Sequence, residues 1–492
     1  MSEIGSRAAR GTAVSLLGQL ALQVLRLGSN LVLTRLLDPD AFGLMAIIVA
    51  VTGGLALISD VGVWQAIVRS PRGDDRRFLD TAFTIHAVRG VGLFAIGVAA
   101  AYPAAQFYGR SELVWMLPLC TVQAIISGLE STKSAQASRH MHVGRVVGLD
   151  LSAQIAGLCA SIPLALLLHS AVALVAASLA SALVRMILTH VMLPGPNNRL
   201  GWDKEAAREI FTFGRFVFVS TIFFFLGTRY DVFALGRLEG MGLIGVYGLA
   251  QMIVQVPAQM GERVSNSVLM PALSQRFRET PAAFAGDVRH ARLILLPAAA
   301  VLFLGAAMTA PAFFHLLYRD VYADAGWMVQ LLIIAAWCGF LQESTGRALI
   351  AIGNSSWLAV ANCARLIATV AFTSLGFRLG DASGLGAHGA VIGFMLGNAA
   401  GAFVGAMAIA VGLAQLGANI ILIDVVGTAA LALAALVGCG VPVLLERAFG
   451  WPAAYTTLVS VVLLVGPLAL YALTRVRAAM RGSRSQGADA SA

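Results

Sequence analysis

The chain has 492 residues, 58% of them hydrophobic and 12% charged, where soluble domains carry roughly 45–50% apolar and about 25% charged residues. A water-soluble globular protein is thereby excluded, and at about 20 mostly apolar residues per crossing the composition holds material for about 14 membrane helices. The net charge of +9 on so apolar a chain is expected to reflect a loop bias across the membrane, and nucleic acid is not an expected partner.

Hydrophobic runs between charged or Pro/Gly-rich breaks predict spans near 11–34, 42–68, 79–105, 112–135, 146–168, 171–193, 209–235, 242–270, 289–315, 326–351, 356–376, 386–414, 420–445 and 453–474. The expected fold is an all-α polytopic membrane protein of fourteen transmembrane helices. The first apolar segment follows the short basic stretch Met1 to Arg10 and is too long, and too polar along one face, for a cleaved signal peptide. Loops on the N-terminal side of the membrane carry 21 basic residues, Lys133, Arg292 and Arg347 among them, against 6 on the other side. By the positive-inside rule both termini are then cytoplasmic. The external loops are short, so the function is expected within the bilayer. The tail 477–492 is small, polar and expected to be disordered. Cys120, Cys159, Cys338, Cys363 and Cys439 all fall in apolar stretches without metal-ligand spacing; they are expected to be buried, free thiols, and no cofactor or metal is indicated. External aromatic residues such as Tyr102, Tyr108, Trp115, Tyr318, Tyr322 and Trp451 are expected to form an interfacial belt.

The chain echoes itself. Arg35, Leu36 and Gly43 at the exit of span 1 recur as Arg237, Leu238 and Gly245 at the exit of span 7, with a constant offset of 202 that also carries Asp60 onto Glu262. Glu130-Ser131-Thr132 in span 4 recurs as Glu343-Ser344-Thr345 in span 10. A duplication of six helices explains both echoes and relates the halves by an axis along the membrane normal. The expected organisation is an N-terminal half 1–193, a linker 194–208, a C-terminal half 209–414, two further helices in 415–476, and the tail.

The frame Arg35-Leu36-Leu37 with Pro39, Phe42 and Gly43, the run Ser59-Asp60-Val61-Gly62, and Asp231 followed by Gly236-Arg237-Leu238 and Gly245-Val246-Tyr247 resemble the Wzx-type polysaccharide flippases. That family shares a superfamily with the MurJ lipid II flippases and the MATE exporters. The resemblance implies a transporter, not an enzyme, in the bacterial cytoplasmic (inner) membrane. It would move polyprenyl-pyrophosphate-linked oligosaccharides for exopolysaccharide, capsule or O-antigen synthesis by alternating access. Its partners would be that lipid-linked oligosaccharide, membrane lipid, and polysaccharide polymerase and chain-length proteins.

Polar residues inside the spans give the candidate site. Ser15, Gln19, Gln23, Arg26 and Asn30 share one face of span 1, and Gln251, Gln255, Gln259, Glu262 or Arg263, and Asn266 repeat the pattern in span 8. Such stripes face either a hydrophilic cavity or a neighbouring helix, since lipid cannot satisfy them. Arg26, Arg89, Arg185, Arg229, Arg263 and Arg365 lie deep in spans, where each costs roughly 2.5–3.5 kcal/mol on insertion scales. Set against the deep acids Asp60, Asp231 and Glu262, with Glu130, Asp150, Glu343 and Asp424 nearer the span ends, they predict a cationic surplus able to hold phosphate oxygens. Arg26, Arg89 and Arg263 are the leading candidates for the lumen, with Arg229 and Arg365 beside them. Arg185 and Arg365 could instead snorkel, and Arg229 could pair with Asp231 or span 1. Asp60, Glu262 and Asp231 could couple ion movement to switching, or form fixed salt bridges. In the resembling flippases, basic residues of the first and eighth helices line a cationic lumen, which implies that role for Arg26 and Arg263. Two other functions compete. A MATE-like drug or cation antiporter would favour acidic binding groups, against the arginine surplus. A membrane-embedded glycosyltransferase would read Asp38 and Asp40 as catalytic acids, but their loop is short and its frame recurs at span 7 without both acids.

Overall fold

A computed structural model describes residues 3–59, 63–140, 143–265, 269, 273, 276–277, 279–351, 356–384, 386–449 and 459–474. Among these residues there are helices and no strand, as the composition requires of a chain that must satisfy its backbone within lipid. Each of the fourteen predicted spans overlaps at least one helix among the described residues.

The helices pack into two compact units, residues 1–246 and 247–492. The first unit holds α1 (Glu3–Leu36), α2 (Pro39–Ile58), α3 (Val63–Arg69), α4 (Arg76–Tyr108), α5 (Leu113–Gly128), α6 (Lys133–Arg139), α7 (Val143–Leu168), α8 (Val172–Val191) and α9 (Lys204–Leu238). α10 (Met241–Val264) runs across the boundary, followed by α11 (Phe284–Leu317), α12 (Ala325–Ala351), α13 (Ser356–Ala382), α14 (Gly386–Gln415) and α15 (Ile421–Phe449), then α16, whose apolar stretch is Val459–Thr474. Among the described residues nine helices are long and apolar enough to cross a membrane, and the bent pair α5–α6 makes a tenth. α1 and α9 have 34 and 35 residues, about 50 Å at 1.5 Å per residue, against a hydrocarbon core of about 30 Å. The protein is a multi-pass membrane protein.

Two predicted spans are not single helices. The expected span 42–68 stops at Ile58 and resumes as α3, and the expected span 112–135 bends by 58° between α5 and α6. Hydropathy alone does not register either break, because only Asp60 at the first and Glu130 and Lys133 at the second interrupt apolar or small residues. Helix ends follow local chemistry. Asp75 caps α4 by accepting from the Arg77 amide at 3.1 Å, and Asp203 caps α9 by accepting from the Glu205 and Ala206 amides at 2.9 Å each, the usual relief for the first unpaired N–H groups of a helix.

The repeated motif glycines have a packing reason. A Cβ on Gly43 of α2 would sit 1.8 Å from the Met241 carbonyl oxygen of α10, and one on Gly245 of α10 would sit 2.0 Å from the Pro39 carbonyl oxygen of α2. The two helix starts cross in reciprocal contact, and only hydrogen fits at both crossings.

Several charged residues expected in water are buried. Lys133 donates to the His190 carbonyl at 3.0 Å and to Asn197 Oδ1 at 2.8 Å, while Asn198 accepts from Ser131 Oγ at 2.7 Å and from the Thr132 amide at 3.0 Å. Residues 197–203 are laced onto the first unit further along, through the Arg199 amide to Asp80, the Gly201 amide to Thr84 and the Asp203 amide to Thr81, each at 2.9 Å. Arg72 closes this layer against Asp75 at 3.1 Å and Asp203 at 3.6 Å. The amides of Ala206 and Glu205 hold the Asp203 carboxyl below its ordinary value, and the His140 ring at 3.0 Å does the same for Asp74.

In the second unit Arg292 of α11 is 3% exposed and Asp424 of α15 is 0% exposed. The guanidinium grips the carboxylate with both Nε (2.8 Å) and Nη2 (2.7 Å) and also donates to Ser344 Oγ and the Leu341 carbonyl. Tyr318 and Tyr322 do not belong to an exposed aromatic belt: both are buried, Tyr318 against Phe313 and Phe314, and burial pushes the Tyr318 phenol up to about 12. Tyr102 and Trp115 are exposed as expected, and Trp451 lies outside the described residues. Among the thiols, Cys120 and Cys338 are buried whereas Cys159 is exposed, and these three and Cys363 are free.

Candidate functional site

Each unit builds an arginine-bridged pair of carboxylates around the Glu of the repeated Glu-Ser-Thr. In the first unit Arg185 of α8 reaches Glu130 at 3.1 Å and Asp150 of α7 at 2.7 Å. Arg26 of α1 lies close enough to act on the charge of Asp150. In the second unit Arg347 of α12 reaches Glu343 at 3.2 Å and Glu262 of α10 at 3.5 Å, and the charge of Arg365 on α13 also acts on Glu343. Arg365 itself donates to Gln342 Oε1 at 3.4 Å, and Gln342 in turn donates to Asn362 at 2.8 Å. Arg185 therefore does not snorkel, and Glu262 belongs to an ion pair with an arginine that the sequence placed in a loop.

These clusters shrink the expected cationic surplus, because Glu130, Asp150 and Glu343, assigned to span ends, neutralise arginines inside the units. Arg229 on α9 is half-buried and forms no ion pair with Asp231. Asp231 is buried and accepts the amide of Val232 at 2.8 Å. Arg263 is half-buried next to Glu262, whose charge acts on it.

Arg89 on α4 is held by neutral oxygens at the end of α2: its Nε donates to Ser59 Oγ at 2.9 Å and its Nη2 to the Ala56 carbonyl. It lines a cavity of about 510 Å³ inside the first unit, walled by α2, α4, α5 and α8, together with His86, Gln123, Ser127 and Glu130. Close approach of α4 and α5 shapes this cavity, since a Cβ on Gly90 would meet the Ala124 carbonyl oxygen at 2.4 Å.

The polar stripes remain accessible. On α1 Gln23 and Asn30 are half-buried and Arg26 is exposed; on α10 Gln251 and Gln259 are half-buried and Gln255 is exposed. The bond from Gln259 to Gln255, at 3.2 Å, runs along the helix. Asp60, Asn266 and the side chain of Gln19 lie outside the described residues.

Residues 32–324, more than half of the chain, match the family described as polysaccharide biosynthesis protein. The chain belongs to this family. Among the relatives of this chain, the teichuronic acid biosynthesis protein TuaB of Bacillus subtilis is 21% identical over 312 residues, 61% of this chain and 62% of the relative. The succinoglycan biosynthesis transport protein ExoT of Rhizobium meliloti is 24% identical over 253 residues, 50% of each chain. The matched stretches thus span about half to three fifths of these relatives' lengths. Among solved structures, the lipid II flippase MurJ in an inward closed conformation superposes with a TM-score of 0.65 at 9% identity, over 93% of this chain and 98% of that one. An inward-facing multidrug resistance MATE family transporter of the MOP superfamily gives 0.59 at 16% identity, over 81% and 95%. The fold is therefore the all-helical one that MurJ and MATE transporters share.

Proposed function

We propose that this chain is a flippase that carries polyprenyl-pyrophosphate-linked oligosaccharide units from the cytoplasmic to the outer leaflet of the bacterial inner membrane, with both termini in the cytoplasm. Membership of the polysaccharide biosynthesis family, on a fold shared with a lipid flippase over nearly the whole chain, carries this reading. The accessible stripe of α1 in the first unit and that of α10 in the second would each offer polar surface to the glycan and pyrophosphate while the polyprenyl tail stays in lipid. Arg26, Arg229 and Arg263 would meet the pyrophosphate through bidentate N–H bonds. Arg89 in the first unit and Arg365 in the second would act nearer the sugars. Alternating access of two halves, 1–193 and 209–414, would expose the head group on the outside. The binding site must differ between states, because a site equally tight in both shifts no population. Ion coupling would lie with Glu262 and its Arg347 partner, with Asp231, and with Asp60. Polymerase and chain-length proteins would take over the exported unit.

A drug antiporter is the weaker reading: the acids that would hold a cationic drug, Glu130, Asp150, Glu262 and Glu343, are engaged by arginines. The reading is tested in cells by Arg26→Ala and Arg263→Ala. Reduced surface polysaccharide with accumulation of the completed lipid-linked unit on the cytoplasmic side, at normal protein level, is expected. Export at the wild-type rate in both variants refutes the cationic route, and accumulation of unglycosylated carrier lipid points to a glycosyltransferase.

A further inference from the structure

We propose that the cavity inside the first unit is a binding subsite for one pyranose residue of the transported glycan; the proposal rests on the transport reading above. The cavity has about 510 Å³, within the range of about 300–1,000 Å³ in which proteins hold small ligands. Its walls are of two kinds. Met45, Val49, Leu55 and Leu93 form apolar surface from α2 and α4, and Gln123 and Ser127 of α5 supply an amide and a hydroxyl. Gln123 and Ser127 are one helical turn apart on one face and half-buried, and their side chains make no hydrogen bond with the described residues.

An amide and a hydroxyl inside a membrane-spanning unit need partners, because neither lipid nor an apolar wall supplies them. A cavity that leaves both open is built for water or for a ligand bearing hydroxyls. A pyranose ring suits the division of the walls: its C–H face covers apolar surface while its equatorial hydroxyls bond at the edge, accepting from and donating to Gln123, which offers both. A lipid tail would bury these two groups without partners, and a flat aromatic cation would meet Arg89, while the Glu130 carboxylate in the wall is already engaged by Arg185. Arg89 and His86 at the α4 wall extend the site toward a ring substituent. The Ser59 and Ala56 contacts fix the Arg89 fork in place, so that the substituent meets a preset geometry.

The test uses the full-length protein with its five native cysteines replaced by alanine and one reporter, Ala124→Cys, in the cavity wall. The rate of labelling by a small water-soluble maleimide is measured in detergent with methyl pyranosides of glucose, galactose, mannose and glucuronic acid, each at about 50 mM, and with mannitol as an acyclic control. At least one pyranoside should slow labelling threefold or more while mannitol does not, and Gln123→Leu with Ser127→Val should abolish the protection and reduce glycan export at normal protein level. Equal labelling with every pyranoside, equal slowing by mannitol, or unchanged export in the double variant overturns the subsite. Should Ala124→Cys fail to fold, Thr52→Cys on the opposite wall is the second reporter. A cell defect in Arg26→Ala without pyranoside protection leaves the transport reading standing and removes this one alone; protection without any Arg26 or Arg263 defect does the reverse to the cationic route.

Discussion

Arg292 and Asp424 allow a quantitative test of how the second unit is held together. The pair is 3% and 0% exposed and joins α11 to α15 through two donated N–H bonds to the carboxylate, with Ser344 and Leu341 taking the rest of the fork. Arg292→Met strips Asp424 of both donors while leaving the carboxylate dry. Removing one partner of a buried pair costs about 3–5 kcal/mol, and the zero exposure of Asp424 places this variant toward the upper end. Four kcal/mol is about a 700-fold change in the folded-to-unfolded ratio, at tenfold per 1.4 kcal/mol. Asp424→Leu should cost a similar amount by stranding the guanidinium. The double variant Arg292→Met, Asp424→Leu should recover most of the loss, because two apolar groups of similar volume need no desolvated charge to be paired. The assay is reversible SDS titration of the purified proteins in mixed micelles, followed by circular dichroism. Single variants that lose under about 1 kcal/mol, or a double variant that loses the sum of both, would refute the reasoning.

Three further outcomes follow from particular contacts. Gly245→Ala should lower stability by about 1–3 kcal/mol, the usual cost of overpacking, since its Cβ would meet the Pro39 carbonyl oxygen at 2.0 Å; Gly53→Ala, with nothing within 4 Å, should be neutral or stabilising in the same titration. Asp203 has its folded carboxyl held below 3.8, so its cap stabilises α9 fully above that unfolded value and is lost as pH falls through the lower folded value. Hydrogen exchange at the Glu205 and Ala206 amides should therefore stay protected down to about pH 4 and rise only below it; protection lost at pH 5 would contradict the cap. Single cysteines at Ser111 and Ser383, both exposed, should react with an impermeant maleimide from outside intact cells, and silence at both would invert the topology.

The helices were legible because a bilayer demands long apolar runs, and each run became a helix. The breaks after Ile58 and Gly128 were not, because they depend on Arg89 reaching the end of α2 and on the polar lacing around Ser131 and Lys133, contacts distant in sequence. The Gly43 and Gly245 echo was visible as a motif, and its cause, a reciprocal helix crossing, required coordinates. The charge balance of the site was misjudged for one reason. Glu130, Asp150, Glu343 and Asp424 were assigned to span ends and Arg292 and Arg347 to loops, whereas the fold brings them together inside units, where a charge persists only when paired. Arg89 was singled out for its depth in an apolar run, and its surroundings, a cavity within one unit, follow from the close packing of α4 and α5 that Gly90 permits.

The central claim is that the chain itself moves a lipid-linked glycan across a bilayer. Purified protein reconstituted into liposomes with a short-chain polyprenyl-pyrophosphate-linked oligosaccharide, labelled on the sugar, should make nearly all of the label accessible to an impermeant glycosidase with time, whereas protein-free liposomes stay at the share that starts in the outer leaflet. Arg26→Ala with Arg263→Ala should slow that approach several-fold. Wild-type protein that leaves the labelled glycan as protected as empty liposomes do, under conditions where its helical signal is intact, would contradict the account.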